Sequence, residues 1–372
     1  MKFNRYTLSD LATIKYGKNQ KKVLSDSGTV PIFGTGGLMG FATTSLYDKP
    51  SVLIGRKGTI GKVKYVEQPF WTVDTLFYTI INTDLVIPKY LFYVMSLIDL
   101  NNYNEGTTIP SLRTETLNRL EFDIPDLEEQ RKILSCLNPI DEKIELNNAI
   151  NNNLEQQAEA IFQSILSNAI TTVNLGEIAD VKGGKRLPKG VNLIDIPNAH
   201  PYIRVRDLNN ALFASLTPNY AYVDKETQKS ISRYIVSTGD VLISIVGTIG
   251  LTAIVDLTLD KANLTENCVK VTNLKHITPE YLLLYLRSQL GREAIAKGTV
   301  GAVQQKLPIK NIQAIPIPLL SEKDKNALFC TLDSIFAGIS NNVIQSAKLA
   351  SLRDTLLPRL MSGELDVSDI DI

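Results

Sequence analysis

The sequence predicts an α+β protein: two duplicated α/β domains separated by two long antiparallel coiled-coil helices, with pseudo-twofold symmetry. Three observations predict it. Blocks of the first half recur in the same order in the second half. Each half ends in a long segment with apolar residues at heptad spacing. Charge alternates in sign from one part to the next. The boundaries follow as 1–125 (first domain), 126–170 (central helix), 171–318 (second domain) and 319–372 (C-terminal helix and tail).

The duplication is collinear. LSDLATIKYGK at 8–18 resembles LGEIADVKGGK at 175–185. Val52-Leu53-Ile54 leads to Gly58-Thr59-Ile60-Gly61, and Val241-Leu242-Ile243 leads to Gly247-Thr248-Ile249-Gly250. Pro88-Lys89-Tyr90-Leu91 answers to Pro279-Glu280-Tyr281-Leu282, and Gly106-Thr107 to Gly298-Thr299. One such match arises by chance; several in order mark a repeat. The second copy holds about 22 extra residues between its first two blocks. Within each copy the apolar runs that end in glycine read as strands. Pro88 and Pro279 read as first-turn helix prolines, where the missing N–H costs nothing.

After Pro125 the pattern changes. Ile133, Leu137, Ile140, Ile144, Leu154, Ala158, Ile161 and Ile165 keep a 4-3-4-3 spacing that Asn147 and Asn151 complete. A shift of 195 residues gives Leu328, Leu332, Ile335, Ile339, Asn342, Ser346, Leu349, Arg353, Leu356 and Leu360 in the same phase. Pro139 and Pro358 predict kinks. Neither stripe stays wet in a soluble chain, so each is expected to cover the other. Antiparallel pairing puts Asn151 against Asn342 and Asn147 against Ser346, polar seam residues of the kind that fix register.

The formal net charge is zero over 372 residues, yet the four parts carry +3, −5, +5 and −3. Salt screens fields beyond about 10 Å, so two separate basic lobes still attract a polyanion. The most apolar run, Val241 to Leu251, is too short to span a bilayer, and MKFNRYTLSDLA has no signal-peptide core. Cys136, Cys268 and Cys330 stand alone, which predicts neither a zinc ribbon nor a disulfide framework and fits a reducing cytoplasm.

Two non-identical basic domains on a long helical pair resemble one known family. The resemblance is carried by PIFGTGGLMG (31–40), VLIGRKGTIGKV (52–63), DTLFY (74–78), GTTIPSL (106–112), IPDLEEQRKI (124–133), EQQA (155–158) and LLPRLMSGEL (356–365). In this order they resemble a type I restriction–modification specificity (S) subunit over essentially the whole chain. The resemblance implies two target-recognition domains, each reading one half of a bipartite asymmetric site on double-stranded DNA. It implies helices that space them and dock two methyltransferase (M) subunits. It also implies a restriction (R) subunit that cuts unmodified DNA. S-adenosylmethionine then belongs to the methyltransferase, which flips adenines; ATP and Mg belong to the restriction subunit, and this chain has no cofactor. The same features are compatible with the specificity chain of a type IIB-like enzyme.

Candidate DNA contacts follow from charge and geometry. Arg56, Lys57, Thr59 and Lys62 surround a glycine turn, where backbone N–H groups and cations meet phosphates. Lys18, Lys21 and Lys22 form a second run, with Lys182, Lys185, Arg186 and Lys189 as its counterpart. Arg204 and Arg206 alternate as on one face of a strand. Arg113 follows one Gly-Thr loop, and Gln304, Gln305 and Lys306 follow the other; Arg suits guanine edges and Gln adenine edges. In the second copy Ile245-Val246 replaces Arg56-Lys57, and Leu251 stands where Lys62 stood. That domain must carry its cations elsewhere.

Catalytic readings fail. Met39 breaks a dinucleotide loop begun by Gly34-Thr35-Gly36, while Arg56 and Val63 break a P-loop around Gly61-Lys62. His200 and His276 have no metal-protease spacing, and there is no Asn/Asp-Pro-Pro-Tyr segment. Asp126 with Asp141-Glu142-Lys143 imitates a nuclease motif, but the latter three lie on the heptad helix. A coiled-coil scaffold that binds only proteins explains the acidic helices and leaves the basic domains without a role.

Overall fold

In the computed structural model the β-branched run around Leu53 becomes the strand Ser51–Gly55, buried along its whole length. It lies inside a four-stranded antiparallel sheet in the order Ala12–Tyr16, Leu76–Ile81, Ser51–Gly55, Val63–Val66. A strand covered on both faces needs apolar residues at every position, which is why it reads as a run and not as an alternation. A second sheet orders Gly37–Ala42, Val30–Gly34 and Trp71–Thr72, the last pair parallel. The helix Pro88–Ser96 starts on its proline and buries Tyr90, Leu91, Tyr93 and Met95. Phe3–Thr7 pairs with Glu121–Pro125 and delivers the chain to a long helix. The structure describes residues 2–209, 211–217, 220–301 and 304–368. These form two units: 1–145 with 346–372, and 146–345.

The second unit repeats this plan. Asp180–Gly183, Cys268–Thr272, Val241–Ser244 and Thr252–Val255 lie in the same order, with Phe213–Ala214 as a fifth, parallel edge strand. Ala221–Tyr222, Pro201–Ile203 and Asn263–Leu264 form the small sheet. The helix Pro279–Arg287 again opens on its proline, and Thr171–Asn174 pairs with Pro316–Leu319. The extra residues supply the edge strand and the helix Lys225–Ile231.

One sequence match is corrected. Glu105 N–H donates to the Ser111 carbonyl at 2.9 Å, and Val300 N–H donates to the Lys306 carbonyl at 2.9 Å. Leu112 N–H meets the Arg56 carbonyl, and Leu307 N–H the Ile245 carbonyl, each at 3.0 Å. Gly106 therefore corresponds to Gly301. Gly298, chosen from its following threonine, instead ends the helix Gln289–Gly298. A Gly-Thr pair suits a helix end and a loop equally, so local sequence does not separate them.

The two long helices are Leu127–Leu166 and Glu322–Met361, 40 residues each, and both run through their prolines. In the first unit Ile133, Leu134 and Leu137 share a core with Leu357, Leu360 and Met361. In the second, Ala158 and Phe162 share one with Leu328, Leu332, Phe336 and Ile339. The helices pair antiparallel in both. Asn342 Nδ2 donates to Asn151 Oδ1 at 2.8 Å, the register the heptads predict. In that register Asn147 donates its Nδ2 to Gln345 Oε1 at 2.9 Å. Asp141 accepts from Arg353 at 2.9 Å. Helix Glu322–Met361 also contains an 18-residue window of mean hydropathy 1.3, enough to cross a membrane by length and composition alone. Five apolar residues of that helix lie instead in the core of the second unit.

Candidate nucleic-acid interface

In the first unit the glycine turn after Ser51–Gly55 is zipped to the loop at 105–112. Lys57 bridges to Ser111, and Gly58 N–H donates to the Pro110 carbonyl at 2.9 Å. Gly58 has φ +86°, a conformation that side chains resist. The zipper brings Arg56, Lys57 and Arg113 to one open cleft of about 240 Å³, with Tyr16, Ser111 and Glu115 also on its walls. Arg56 is largely committed to the protein. Its Nη1 donates to the Asp74 carbonyl at 2.8 Å, and its guanidinium lies 5.0 Å from the Tyr16 ring centre. Lys57 and Arg113 are exposed. Arg113 Nε is 3.1 Å from Glu105 Oε2.

Thr59 is exposed on the same turn. Lys62 does not join the cleft. It lines a separate hollow with Phe92, Arg353 and Asp354. The Lys18 backbone is tied down, its N–H donating to the Thr72 carbonyl and its carbonyl accepting Trp71 Nε1, both at 2.8 Å. Its side chain and those of Lys21 and Lys22 face solvent.

The second unit gathers other residues. Arg186, Lys189, Arg204, Tyr202, Glu266 and Asn267 line an open cleft of about 640 Å³. Arg186 stands 3.3 Å from Glu266, and Lys185 Nζ lies 5.4 Å from the Tyr234 ring centre. Lys182 is held 3.0 Å from Asp180. The hydrogen bond from Asn273, then that from Lys182, holds the Asp180 carboxyl below the usual aspartate range. Gln304, Gln305 and Lys306 are exposed, and Lys306 bridges to both Val246 and Val300.

Arg204 and Arg206 do not lie on a strand. The strand stops at Ile203, and Val205–Asp207 is a 3₁₀ turn. Arg204 makes a forked pair with Asp207, Nε to Oδ2 at 2.8 Å and Nη2 to Oδ1 at 2.9 Å. Capture by a carboxylate three residues on overrides the alternation that the sequence suggests. Arg206 stays exposed.

Sequence reading missed Tyr16, Asp74, Glu105 and Glu115. Only Tyr16, beside Lys15 and Lys18 in a duplicated block, carried a signal. Glu105 reaches Arg113 through the loop at 105–112, and the Asp74 carbonyl reaches Arg56 only through long-range folding.

Two units of one plan, each with a cationic cleft and each packed on segments of the same two helices, are the architecture of a two-headed recognition subunit. The family described as type I restriction modification DNA specificity domain matches residues 2–156 and again 169–348. The chain belongs to that family. It is a specificity component with no catalytic role, and it works with DNA and the other subunits of a restriction–modification complex. It is 24% identical over 351 residues to the type I restriction enzyme MjaIX specificity subunit of Methanocaldococcus jannaschii, covering 87% of this chain and 80% of that one. It is 23% identical to the HindI specificity subunit of Haemophilus influenzae, covering 76% and 79%. The crystal structure of a type I restriction–modification S subunit from M. genitalium shares the fold, with TM-score 0.58, 18% identity, and coverage of 97% and 96%.

Proposed function

We propose that this chain chooses the DNA target of a type I restriction–modification complex by reading a bipartite, asymmetric site, one half with each unit. One observation carries the reading: a repeated backbone presents different chemistry at equivalent places. Arg56, Lys57 and Arg113 of the first copy answer to Ile245, Val246 and Pro308 of the second. Equal scaffolds with unequal side chains read unequal half-sites. Each long helix, roughly 60 Å at 1.5 Å per residue, sets the unread gap and offers its outer face to two methyltransferase subunits. S-adenosylmethionine is held by those subunits, ATP and Mg by the restriction subunit, and none by this chain. The complex works in the cytoplasm, without a membrane. Phosphate contacts by Lys18, Lys21, Lys57, Lys185 and Arg186 supply affinity, and base contacts supply choice.

The test is the salt dependence of binding. The chain, assembled with its methyltransferase subunit, is titrated with duplex DNA across salt concentrations. A DNA reader loses affinity linearly in log salt as phosphates regain counterions. A flat response supports the protein-scaffold reading instead.

A further inference from the structure

We propose that Arg113 reads a guanine in the first half-site and that Glu105 is the positioning residue that aims it, an assignment that rests on DNA reading by the first unit. Glu105 Oε2 sits 3.1 Å from Arg113 Nε, the inner nitrogen of the guanidinium. Holding that nitrogen leaves the terminal pair free, the fork that meets guanine O6 and N7. The Arg113 side chain is 70% exposed and that of Glu105 only 30%, so the carboxylate lies behind the arginine.

Glu105 is itself fixed. Its Oε1 accepts the Thr116 hydroxyl, and its N–H is tied to the Ser111 carbonyl at 2.9 Å. Asn104 Oδ1 accepts N–H groups from both Gly106 and Ser111, each at 2.9 Å. Gly106 must be glycine, since a Cβ there would lie 1.9 Å from the Ile109 carbonyl oxygen. A rigid base for a reading side chain lowers the entropy lost on binding.

Charge separates a base reader from a phosphate clamp. Glu105 offsets the Arg113 charge, and Glu115 lines the same cleft. A neutralised arginine attracts phosphate poorly but keeps its donors. Lys57, exposed and without an ion pair among the described residues, is the phosphate ligand of the same cleft. In the second copy Val300 and Pro308 stand at the Glu105 and Arg113 positions. The device is absent there, so this guanine preference belongs to one half-site only. An exposed ion pair adds little stability, which frees Glu105 for aim.

The experiment is selection and sequencing of bound DNA from a random duplex library, using the full-length chain with its methyltransferase subunit. Variants are Arg113→Lys, which keeps charge and loses the fork, and Glu105→Gln, which keeps shape and loses charge. Arg113→Lys is expected to cost about ten- to hundredfold of discrimination at one G·C pair. Glu105→Gln is expected to lower the same preference by a smaller factor while non-specific affinity holds or rises. An unchanged second half-site reports that each variant is folded. Uniform weakening across all targets, or no change at that pair, overturns the assignment of Arg113 and leaves DNA reading intact. A wild-type complex that selects no sequence overturns DNA reading itself.

Discussion

In the first unit, Asp141 of one long helix accepts the Arg353 guanidinium at 2.9 Å and also the Tyr93 hydroxyl. At the same places of the repeat, the second unit has Phe336 and Ala158, both buried, with Phe336 edge-on to Phe213 at 6.0 Å. A second junction differs in the same way. Gln130, fully buried, accepts Ile87 N–H at 2.8 Å and donates to the Leu85 and Pro125 carbonyls at 2.9 Å. Among the described residues its counterpart Lys325 pairs locally, with Glu322. There the strand Pro316–Leu319 is gripped by the hydroxyls of Tyr285 and Tyr281, at 2.5 and 2.7 Å. Apolar pattern and backbone pairing define the scaffold, and the polar groups that close it onto the helices are interchangeable. The same freedom lets the clefts differ without loss of fold.

Gln130→Leu breaks this comparison most sharply. It strands one buried N–H and two carbonyls, at an expected cost of about 2–4 kcal/mol. Lys325→Leu is expected to change stability by less than about 1 kcal/mol. Denaturant unfolding of the two variants checks the pair; equal losses would mean that Gln130 has no special closing role.

Exchanging the helix pair sharpens it. Arg353→Ala alone leaves the poorly exposed Asp141 without its guanidinium, at an expected cost of about 1–3 kcal/mol. Adding Asp141→Phe imports the second unit's pairing, and the apolar replacement of an enclosed ion pair recovers part of the stability, less the Tyr93 hydroxyl bond that is lost with Asp141. A double variant no more stable than Arg353→Ala would show that the two junctions are not equivalent.

Much of the fold was legible because its signals are long. Ten seam positions over a 40-residue helix leave one phase, and two asparagines in it specify the Asn151–Asn342 contact. Fully buried strands announce themselves as runs around Leu53 and Leu242. The site was less legible because its contacts depend on loop and sheet geometry. Nothing near Arg113 in sequence says that Glu105 will lie behind it, and nothing near Arg56 says that the Asp74 carbonyl and the Tyr16 ring will hold it. The 3₁₀ turn that gives Arg204 to Asp207 competes locally with a strand, and tertiary pairing at Ile203 decides where the strand stops. The loop match to Gly298 failed because the second copy builds an additional helix just there.

The central claim is that each unit reads its own half of the target. Its most direct measurement is a chimera in which residues 1–125 come from another member of the family, assembled with methyltransferase subunits and used to select duplexes from a random library. One half-site changes, while the other half and the gap between them stay the same. Selected sequences in which both halves change together, or neither does, would contradict it.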